Sequence, residues 1–402
     1  MRRRLLLGSV LALLLAAVVG VPTAAAATTG RYIVVLTDSV GSPSAVAAEH
    51  ARAHGLAVEH VYRHALKGYS AVMTAADAQA LLADARVASV SPDHPVHIEA
   101  QVLPTGIDRI DGELSSTVSG DGAGSVDVDV AVIDTGIDLT HPDLNVVDGV
   151  NCSTGNSFND GNGHGTHVAG TIAANDNNIG VVGVAPGARL YAVRVLNNRG
   201  SGSFADVICG VDWVTARAAT IEVANMSLSG PGAEPAGTGC ATGDAFHDAV
   251  CRSVAEGVTY AVAAGNQRVD AATRVPAAYD EVMTISALAD FDGKPAGRAA
   301  PTCRADEDDT FANFSNFGAD VDLIGPGVCI LSTYRGGGLA TISGTSMATP
   351  HAAGAAALYK STHASATPAQ VKSALQAAGT ANWNNADDPD GVKEKLVNVS
   401  TF

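Results

Sequence analysis

Beyond about residue 100, short apolar runs alternate with longer helical patterns along the chain. The runs are rich in β-branched residues, which favour strands, and most of them end in small or polar residues. This alternation predicts an α/β fold in which a mostly parallel sheet carries helices on both faces. The predicted strands are VDVAVIDTG, ARLYAVRVL, IEVANMSLS, VTYAVAAGN and VMTISAL, and the clearest helical patterns are THVAGTIAA, SFADVICGVDWVTAR and DAFHDAVCRSVAEG.

The preceding segment has a different order of predicted elements. RYIVVLTDSV predicts a strand, SAVAAEHARAHG a helix, HVYRHALKGYSAVMT two strands, ADAQALLADA a helix and RVASVSPDHPVHIEA the last strand. The order β-α-β-β-α-β is a split βαβ unit. It predicts a small α+β domain over residues 28–99, followed by the larger α/β domain over residues 100–402.

The chain opens with a basic start, an apolar stretch and an alanine-rich exit, MRRRLLLGSVLALLLAAVVGVPTAAAA. This pattern is typical of a secretory signal peptide, which we assign to residues 1–27, with cleavage near Ala26 or Ala27. The alternative is a membrane anchor, but the small residues at the exit favour removal. No second apolar span follows, so we expect a secreted, extracellular protein with no membrane attachment after cleavage.

Export permits disulfide bonds, and the six cysteines all lie in the larger predicted domain. Six cysteines allow fifteen pairings, and their spacing does not choose among them. Buried free thiols are the alternative, which an oxidising compartment disfavours. The short loop from Cys240 to Cys251 makes these two the easiest local pair to form. For the remaining four cysteines, the working hypothesis is Cys152 with Cys209 and Cys303 with Cys329.

The formal net charge is −17 and the pI is about 4.9. A surface of this sign repels nucleic acid and anionic membranes, so we expect neither as a partner. The acidic balance suits solubility and cation binding, but it does not identify a function. The charged run RADEDDTF is most simply a solvated loop.

Three polar residues stand out at strand ends and helix starts. Asp134 ends the strand in AVIDTGID, His164 begins a helix in GHGTHVAG, and Ser346 lies at the start of an alanine-rich helix in GTSMATPH. Imidazole can take the proton of a serine near neutral pH, and a buried carboxylate fixes the imidazole tautomer. Because the active residues of parallel sheets gather at the carboxyl ends of strands, we predict a nucleophilic triad there.

Each of these residues also has a simpler interpretation. Ser346 could be only a helix N-cap, and Asp134 an ordinary turn residue. His164 could bind a metal with His167, but no H-E-x-x-H motif is present, so we expect His167 to be structural. A lipase or esterase of the α/β-hydrolase type is disfavoured, because its order is Ser, Asp, His and its motif is G-x-S-x-G, whereas alanine ends GTSMA here.

The three motifs, in this order, resemble those of the subtilisin-like serine proteases, the subtilases. The resemblance covers the chain from about residue 100 to its end, and it implies that the preceding segment is the family's inhibitory pro-domain. It also implies that Asn266, in AVAAGNQ, donates its side-chain amide to the oxyanion, together with the backbone N–H of Ser346. Read alone, Asn266 would be a turn residue.

The resemblance further implies that a peptide substrate binds as an extended strand between two edge segments. A glycine is usual where this chain has Ser229, so we expect a narrower pocket for the residue before the scissile bond. Arg274 aligns near the base of that pocket, and a cut after Glu99 would fit a preference for glutamate, although Arg274 could instead point to solvent. The implied substrate-binding residues are Gly200, Ser201, Gly202, Ser227, Leu228, Ser229, Ala264, Gly265 and Arg274.

Structural calcium (Ca²⁺) is the cofactor that the resemblance implies, with oxygen ligands. NDNNIGVVGVAP resembles the loop of the family's strong calcium site, although it could be a solvated turn. Gln101 fits this site only if processing leaves it near a new N-terminus. The implied ligands are the side chains of Gln101, Asp143 and Asn177 with the carbonyls of Asn175, Ile179 and Val181, and, at a weaker second site, Asp322 with the carbonyls of Asp280 and Val282.

These observations predict a secreted, calcium-stabilised serine endopeptidase that is monomeric and acts on protein or peptide substrates through an acyl-enzyme intermediate. It would be made as a self-processing precursor, with its own pro-domain as inhibitor. The main alternative is a secreted binding protein that keeps this fold with a failed active site. The complete triad and Asn266 argue against it.

Overall fold

The computed structural model of the chain describes residues 29–93, 101–237 and 239–402. The predicted signal peptide and the predicted junction at Glu99 and Ala100 lie outside the described residues. The chain divides into two compact units, residues 1–97 and 98–402. Within the described ranges, no helix has both the length and the apolar character needed to cross a membrane.

The smaller unit has the predicted β-α-β-β-α-β order. Its elements are β1 (Thr29–Leu36), α1 (Pro43–His54), β2 (Ala57–Tyr62), β3 (Gly68–Thr74), α2 (Ala75–Leu81) and β4 (Val87–Pro92). The strands form one antiparallel sheet in the order β2-β3-β1-β4. Ser42 caps the start of α1, and Gly55, at φ +68°, ends it, as expected for a left-handed C-cap.

The larger unit alternates strands and helices, as predicted. Its helices are α3 (Thr105–Arg109), α4 (His164–Ala173), α5 (Phe204–Thr215), α6 (Ala245–Ala255), α7 (Thr345–Thr362) and α8 (Pro368–Ala378). Its strands are β5 (Asp129–Asp134), β6 (Val146–Asn151), β7 (Arg189–Arg194), β8 (Val223–Met226), β9 (Gly230–Pro231), β10 (Thr259–Ala263), β11 (Arg274–Val275), β12 (Met283–Ala289), β13 (Thr310–Phe311), β14 (Leu323–Pro326), β15 (Ile330–Tyr334), β16 (Gly338–Ile342) and β17 (Lys395–Leu396).

The central sheet runs in the order β17-β14-β12-β10-β8-β5-β7-β6. All neighbours on this path are parallel, and β13 adds an antiparallel pairing to β12. The predicted mostly parallel sheet is therefore confirmed. Its carboxyl edge is where the ends of β5, β8 and β10 bring distant parts of the chain together.

Strand β5 explains why helices cover both faces of the sheet. Successive side chains of a strand point to opposite faces. Val130 and Val132 lie in one apolar core with residues of α4, α7 and α8, whereas Ala131 and Ile133 lie in a second core with residues of α5 and α6. Because both faces are buried, the strand is a continuous apolar run rather than an alternating one.

The three expected disulfide bonds are confirmed. Cys152 joins Cys209, Cys240 joins Cys251, and Cys303 joins Cys329, and no described cysteine is free. The first closes the longest loop, with a sequence separation of 57 residues, and ties the end of β6 to α5. Cross-links of this kind stabilise the fold by about 2–4 kcal/mol each, mainly by restricting the unfolded chain.

Candidate active site

Asp134 and His164 form a hydrogen-bonded pair at the carboxyl edge of the central sheet. Asp134 is the last residue of β5 and is fully buried, and His164 is the first residue of α4. Nδ1 of His164 lies 2.8 Å from Oδ1 and 2.9 Å from Oδ2 of Asp134. A buried carboxylate in this position holds the imidazole proton on Nδ1, so that the lone pair of Nε2 is available to accept another proton.

A second buried carboxylate, Asp160, fixes the loop that leads into His164. One polar network around Asp160 joins the strand end to the helix start and holds the loop that carries the imidazole. The carboxylate of Asp160 accepts hydrogen bonds from the backbone N–H groups of Asn162, Gly163 and Thr166 and from the hydroxyls of Thr135 and Thr166.

The pKa of His164 is raised above the ordinary histidine value by its surroundings. Burial by itself lowers this pKa, because it disfavours the imidazolium ion. The nearby negative charge of Asp134 and its hydrogen bond raise the pKa by more than burial lowers it. The arrangement therefore stabilises the imidazolium that forms when His164 takes a proton.

Ser346 is the second residue of α7, and the N-cap of this helix is Gly344. The simpler interpretation of Ser346 as an N-cap is therefore wrong. Its hydroxyl donates to the carbonyl of Ser227 at 3.2 Å, and the Ser227 hydroxyl donates to the Ser346 carbonyl at 2.8 Å. Among the described residues, the Ser346 hydroxyl has no hydrogen bond to His164, so passing its proton to that imidazole would require the hydroxyl to turn away from Ser227.

The orientation of the Asn266 amide is fixed by Thr345. Oδ1 of Asn266 accepts hydrogen bonds from the backbone N–H of Thr345 at 2.8 Å and from its hydroxyl at 3.0 Å. Nδ2 must then face the other way. A Cβ atom at Gly344 would lie 3.5 Å from Nδ2 and 3.7 Å from Oδ1 of Asn266 and 3.6 Å from the backbone N of Ser346, so the Asn266 amide lies next to the start of α7.

The residues just before Asn266 hold it at the end of β10. Gly265 has φ +107°, a conformation that favours glycine, and its N–H donates to the hydroxyl of Thr345 at 3.1 Å. The carbonyl of Ala264 accepts a hydrogen bond from the side chain of buried Asn316 at 2.7 Å. These two hydrogen bonds hold the peptide group between Ala264 and Gly265 in a fixed position.

His167 lies one turn beyond His164 in α4 and is fully buried. Its Nε2 lies 3.0 Å from the carbonyl of Ile330 and 3.1 Å from that of Ala340, so it links α4 to β15 and β16. Burial lowers its pKa to about 4, which keeps it neutral at ordinary pH. The contacts agree with the predicted structural role of His167.

Both predicted substrate segments line one cleft of about 740 Å³ together with His164. Sequence reasoning missed a set of cleft residues, because they become neighbours only when α5 packs beside β9. A larger cavity, about 900 Å³, is lined by residues of the loops 295–309 and 381–393 and by none of the predicted site residues. The cleft contains the predicted Gly200, Ser201, Gly202, Ser227, Leu228 and Ser229 and the unpredicted Leu196, Arg199, Phe204, Val207 and Pro231.

Arg274 lies on β11, which pairs with β9 directly after Ser229. Its guanidinium donates to the side chain of Gln267 at 3.2 Å and to the carbonyl of Thr273 at 3.3 Å. Arg274 is not one of the described residues that line the cleft. The structure thus places Arg274 beside the strand that follows Ser229, with its charged group held by neutral partners.

The predicted ligands of the first calcium site converge around Asp143, which is buried. Nδ2 of Asn177 lies 2.8 Å from Oδ1 of Asp143, and burial raises the pKa of Asp143. The backbone N–H of Val181 donates to the other carboxylate oxygen at 3.0 Å. The backbone N–H of Ile179 donates to Oδ1 of Asn177 at 2.7 Å.

Gln101 meets the remaining predicted ligands of this site. Its Nε2 lies 2.6 Å from the carbonyl oxygen of Asn175 and 3.1 Å from that of Val181. Amide N–H groups therefore contact the oxygens that a cation would contact. Since a half-turn of a carboxamide exchanges its nitrogen and oxygen, the same side chains can present oxygen ligands, and the residues fit a calcium ion.

The oxygens predicted for the second calcium site also converge, but they converge on a lysine. The ammonium of Lys372, on α8, lies 2.8 Å from Oδ1 of Asp322, 2.8 Å from the carbonyl of Val282 and 3.3 Å from that of Asp280. A positive charge of the chain thus takes the position expected for a metal ion. For this reason we do not extend the calcium proposal to the second site.

Comparison with known proteins gives a consistent result. The Subtilase family, Peptidase_S8, matches residues 125–394, and the Peptidase inhibitor I9 family matches residues 31–99. Subtilisin NAT from Bacillus subtilis subsp. natto is 41% identical over 302 residues, 74% of this chain and 71% of that protein. Subtilisin DY from Bacillus licheniformis is 38% identical, over 75% of this chain and 98% of that protein.

A solved structure leads to the same family. The crystal structure of a cold-adapted subtilisin-like serine proteinase is 34% identical and covers 74% of this chain and 98% of its own, with a TM-score of 0.59. The Asp134–His164 pair, the helix that carries Ser346 and every strand of the parallel sheet except β17 are within the matched region. The chain belongs to the subtilase family of serine peptidases, with an I9-type pro-domain before the catalytic domain.

Proposed function

We propose that this chain is a secreted, calcium-stabilised endopeptidase that is made as a self-processing precursor. The observation that supports it most directly is the bond between buried Asp134 and His164, with the Asn266 amide next to the helix start that carries Ser346. Asp134 orients the imidazole, His164 acts as general base and then as general acid, and Ser346 is the nucleophile. Asn266 and the backbone N–H of Ser346 stabilise the oxyanion.

The reaction follows from these positions. Oγ of Ser346 attacks the peptide carbonyl while Nε2 of His164 takes its proton. The negative charge that develops on the carbonyl oxygen is held by Nδ2 of Asn266 and the N–H of Ser346. His164 then donates its proton to the departing amine, which leaves an acyl-enzyme, and a water activated by His164 releases the acid in the same way.

The substrate backbone is proposed to lie along the cleft between the two edge segments. Glycines at 200 and 202 allow another backbone to approach closely. Ser229 and Arg274 are proposed to shape the pocket for the residue before the scissile bond. The apolar side chains of Leu196, Phe204 and Val207 favour apolar substrate residues farther along the cleft.

The first calcium site is proposed to hold Ca²⁺ through Gln101, Asp143 and Asn177, with the carbonyls of Asn175, Ile179 and Val181. A bound ion would neutralise the buried Asp143 and join the segment after the pro-domain to the loop that follows α4. Residues 28–99 are proposed to inhibit the enzyme until they are cut off, and the mature enzyme is proposed to be a monomer.

Mass spectrometry of the secreted protein tests this function. Wild type is compared with Ser346→Ala and with Ser361→Ala, a control on the exposed end of the same helix. We expect wild type and the control to lose the pro-domain, to label with a fluorophosphonate and to digest casein, whereas Ser346→Ala does none of these. Processing of all three alike would assign the cut to another protease, and labelling without casein hydrolysis but with lipid-ester hydrolysis would favour an esterase.

The pocket proposal has a separate test. Arg274→Gln removes the charge while keeping a polar side chain, and matched peptides ending in Glu and in Phe are compared. We expect the ratio of kcat/KM for the Glu peptide over the Phe peptide to fall about fivefold, in line with a partly exposed ion pair. Equal rates for the two peptides with wild type would show that Arg274 does not select glutamate.

A further inference from the structure

We propose a calcium site that lies outside the two sites predicted from the sequence, in the loop between α8 and β17. Its ligands are the carboxylates of Asp388, Asp390 and Glu394. This proposal does not depend on the protease activity, since none of the three residues belongs to the triad or to the cleft.

The three carboxylates are arranged around a common point. One oxygen of each lies within 4.8 Å of an oxygen of each of the other two. Calcium binds oxygen at about 2.3–2.6 Å, so ligands on opposite sides of the ion are about 5 Å apart, and neighbouring ligands are closer. The spacing therefore fits one calcium ion bound by all three carboxylates.

Two of the three carboxylates are buried and have oxygens without a hydrogen-bond partner. Glu394 is 5% exposed and Asp388 is 7% exposed. No group in the described part of the chain donates a hydrogen bond to either carboxylate oxygen of Glu394 or to Oδ2 of Asp388. A buried charge without a partner is strongly destabilising, so proteins pair such a group, neutralise it by protonation or use it to bind a metal.

The nearest positive side chains are occupied elsewhere. Arg268 donates to the carbonyl oxygens of Asn313 and Asp387, and the ammonium of Lys393 lies 5.5 Å from the centre of the Trp383 ring. Within the described ranges, neither forms an ion pair with the three carboxylates. The cluster therefore lacks the internal cation that Lys372 supplies at Asp322.

The local backbone supports a site that is built rather than accidental. Gly391 has φ +70°, which lets the chain turn sharply between Asp390 and Glu394. Oδ1 of Asp390 accepts the N–H of Val392 at 2.8 Å, which steadies this turn. The ligand set contains only carboxylates, and such hard oxygen donors favour calcium over zinc or copper.

The site would connect the C-terminal loop to an apolar core. The carbonyl of Glu394 accepts a hydrogen bond from the indole N–H of buried Trp383 at 3.0 Å. Glu394 is followed directly by β17, which pairs with β14 at one end of the central sheet. A bound ion would therefore hold both the Trp383 contact and this last strand in place.

Terbium luminescence tests the site, because Tb³⁺ replaces Ca²⁺ and emits strongly when a nearby tryptophan transfers excitation energy to it. The full chain carries Ser346→Ala so that removing calcium does not cause self-digestion. Asp390→Asn and Glu394→Gln are compared with Asp387→Asn, a neighbouring exposed aspartate whose side chain is not a ligand. The first predicted calcium site is unchanged in every variant.

We expect Trp-sensitised Tb³⁺ emission in the parent, displaced by Ca²⁺. Asp390→Asn and Glu394→Gln should weaken binding at least about tenfold, since fewer charged ligands remain, whereas Asp387→Asn should stay within about twofold. Metal analysis should give one calcium ion fewer per chain for Asp390→Asn and Glu394→Gln than for the parent. Equal emission and equal calcium content in all variants would overturn the proposal.

Thermal unfolding, measured as Tm in EDTA and in Ca²⁺, gives a second test that does not depend on how well a variant folds with calcium. In EDTA, Glu394→Gln should have a higher Tm than the parent, because it removes a buried unpaired charge. With Ca²⁺ present, the parent should gain more in Tm than Glu394→Gln gains. If the gain is the same in both, the carboxylates share protons instead of a metal ion and the site does not exist.

Discussion

The Asp134–His164 pair and the Asn266–Thr345 pair are proposed to serve the same reaction, but different forces hold them. The first pair joins a buried charge to an ionisable ring, and Asp160 braces the loop that carries the ring. The second is a neutral amide whose direction is set by two hydrogen bonds from one threonine. The acid–base half should therefore depend on pH and fail almost completely when it is altered, whereas the oxyanion half should be insensitive to pH and fail in part.

Asp134→Asn should have the largest effect, because the amide cannot hold the correct imidazole tautomer or stabilise the imidazolium. We expect kcat for a peptide substrate to fall about 10⁴-fold with little change in the fold. Steady-state kinetics and circular dichroism measure the two effects. Asp127→Asn, at a highly exposed position, is the control and should keep its activity. A loss of less than tenfold in Asp134→Asn would remove Asp134 from the mechanism.

Asn266→Ala should lower kcat about 10²- to 10³-fold, with KM nearly unchanged, because the lost hydrogen bond forms mainly in the transition state. The remaining activity comes from the backbone N–H of Ser346 and the intact acid–base half. The separate values of kcat and KM test this directly. A rise in KM with constant kcat would instead make Asn266 a substrate-binding residue.

Thr345→Val should lower kcat about tenfold, since it removes one of the two hydrogen bonds to Oδ1 of Asn266 and leaves the backbone N–H bond. Thr345→Ser keeps the hydroxyl and should restore most of the rate. The effect of Thr345→Val should be smaller in the Asn266→Ala background, where only the hydrogen bond from the Gly265 N–H to the Thr345 hydroxyl is left to lose. Additive losses in the double variant would contradict this positioning role.

The pH dependence of kcat/KM should distinguish the acid–base half from the oxyanion half, and its effect on the rate is the smallest of those predicted. Because the pKa of His164 is raised, the free enzyme should lose kcat/KM as the pH falls through a value above the ordinary histidine pKa of about 6.5. Asp134→Asn should move this limb to lower pH, and Asn266→Ala should leave it in place. The same shift stabilises the fold fully below the unfolded pKa, and this contribution is lost as the pH rises through the folded pKa.

The elements that carry the proposed triad could be predicted, because local patterns mark the end of β5 and the starts of α4 and α7. The fully apolar run of β5 ends at Asp134, and a buried parallel strand has that composition for a physical reason, since both of its faces are covered. Glycine-flanked His164 and the small residues after Ser346 mark helix starts in the same way. Such signals span fewer than about ten residues, so a single sequence contains them.

The supporting contacts could not be predicted, because they join residues that are far apart in sequence. Thr345 orients an amide 79 positions earlier, and Lys372 contacts the carbonyl of Val282, 90 positions away. Nothing in the helical pattern of α8 distinguishes a solvated lysine from one that reaches a set of oxygens. The sequence therefore indicated where the oxygens of the second site meet, but not which positive charge meets them.

Lys372 has a consequence for how the protein meets its surroundings. A metal ion leaves when its free concentration drops, but an ammonium group attached to the chain is present at the same effective concentration in any medium. The region around Asp322 is therefore indifferent to chelators and to dilution. A protein that fills a cation position with its own side chain keeps that part of its structure in environments where calcium is scarce.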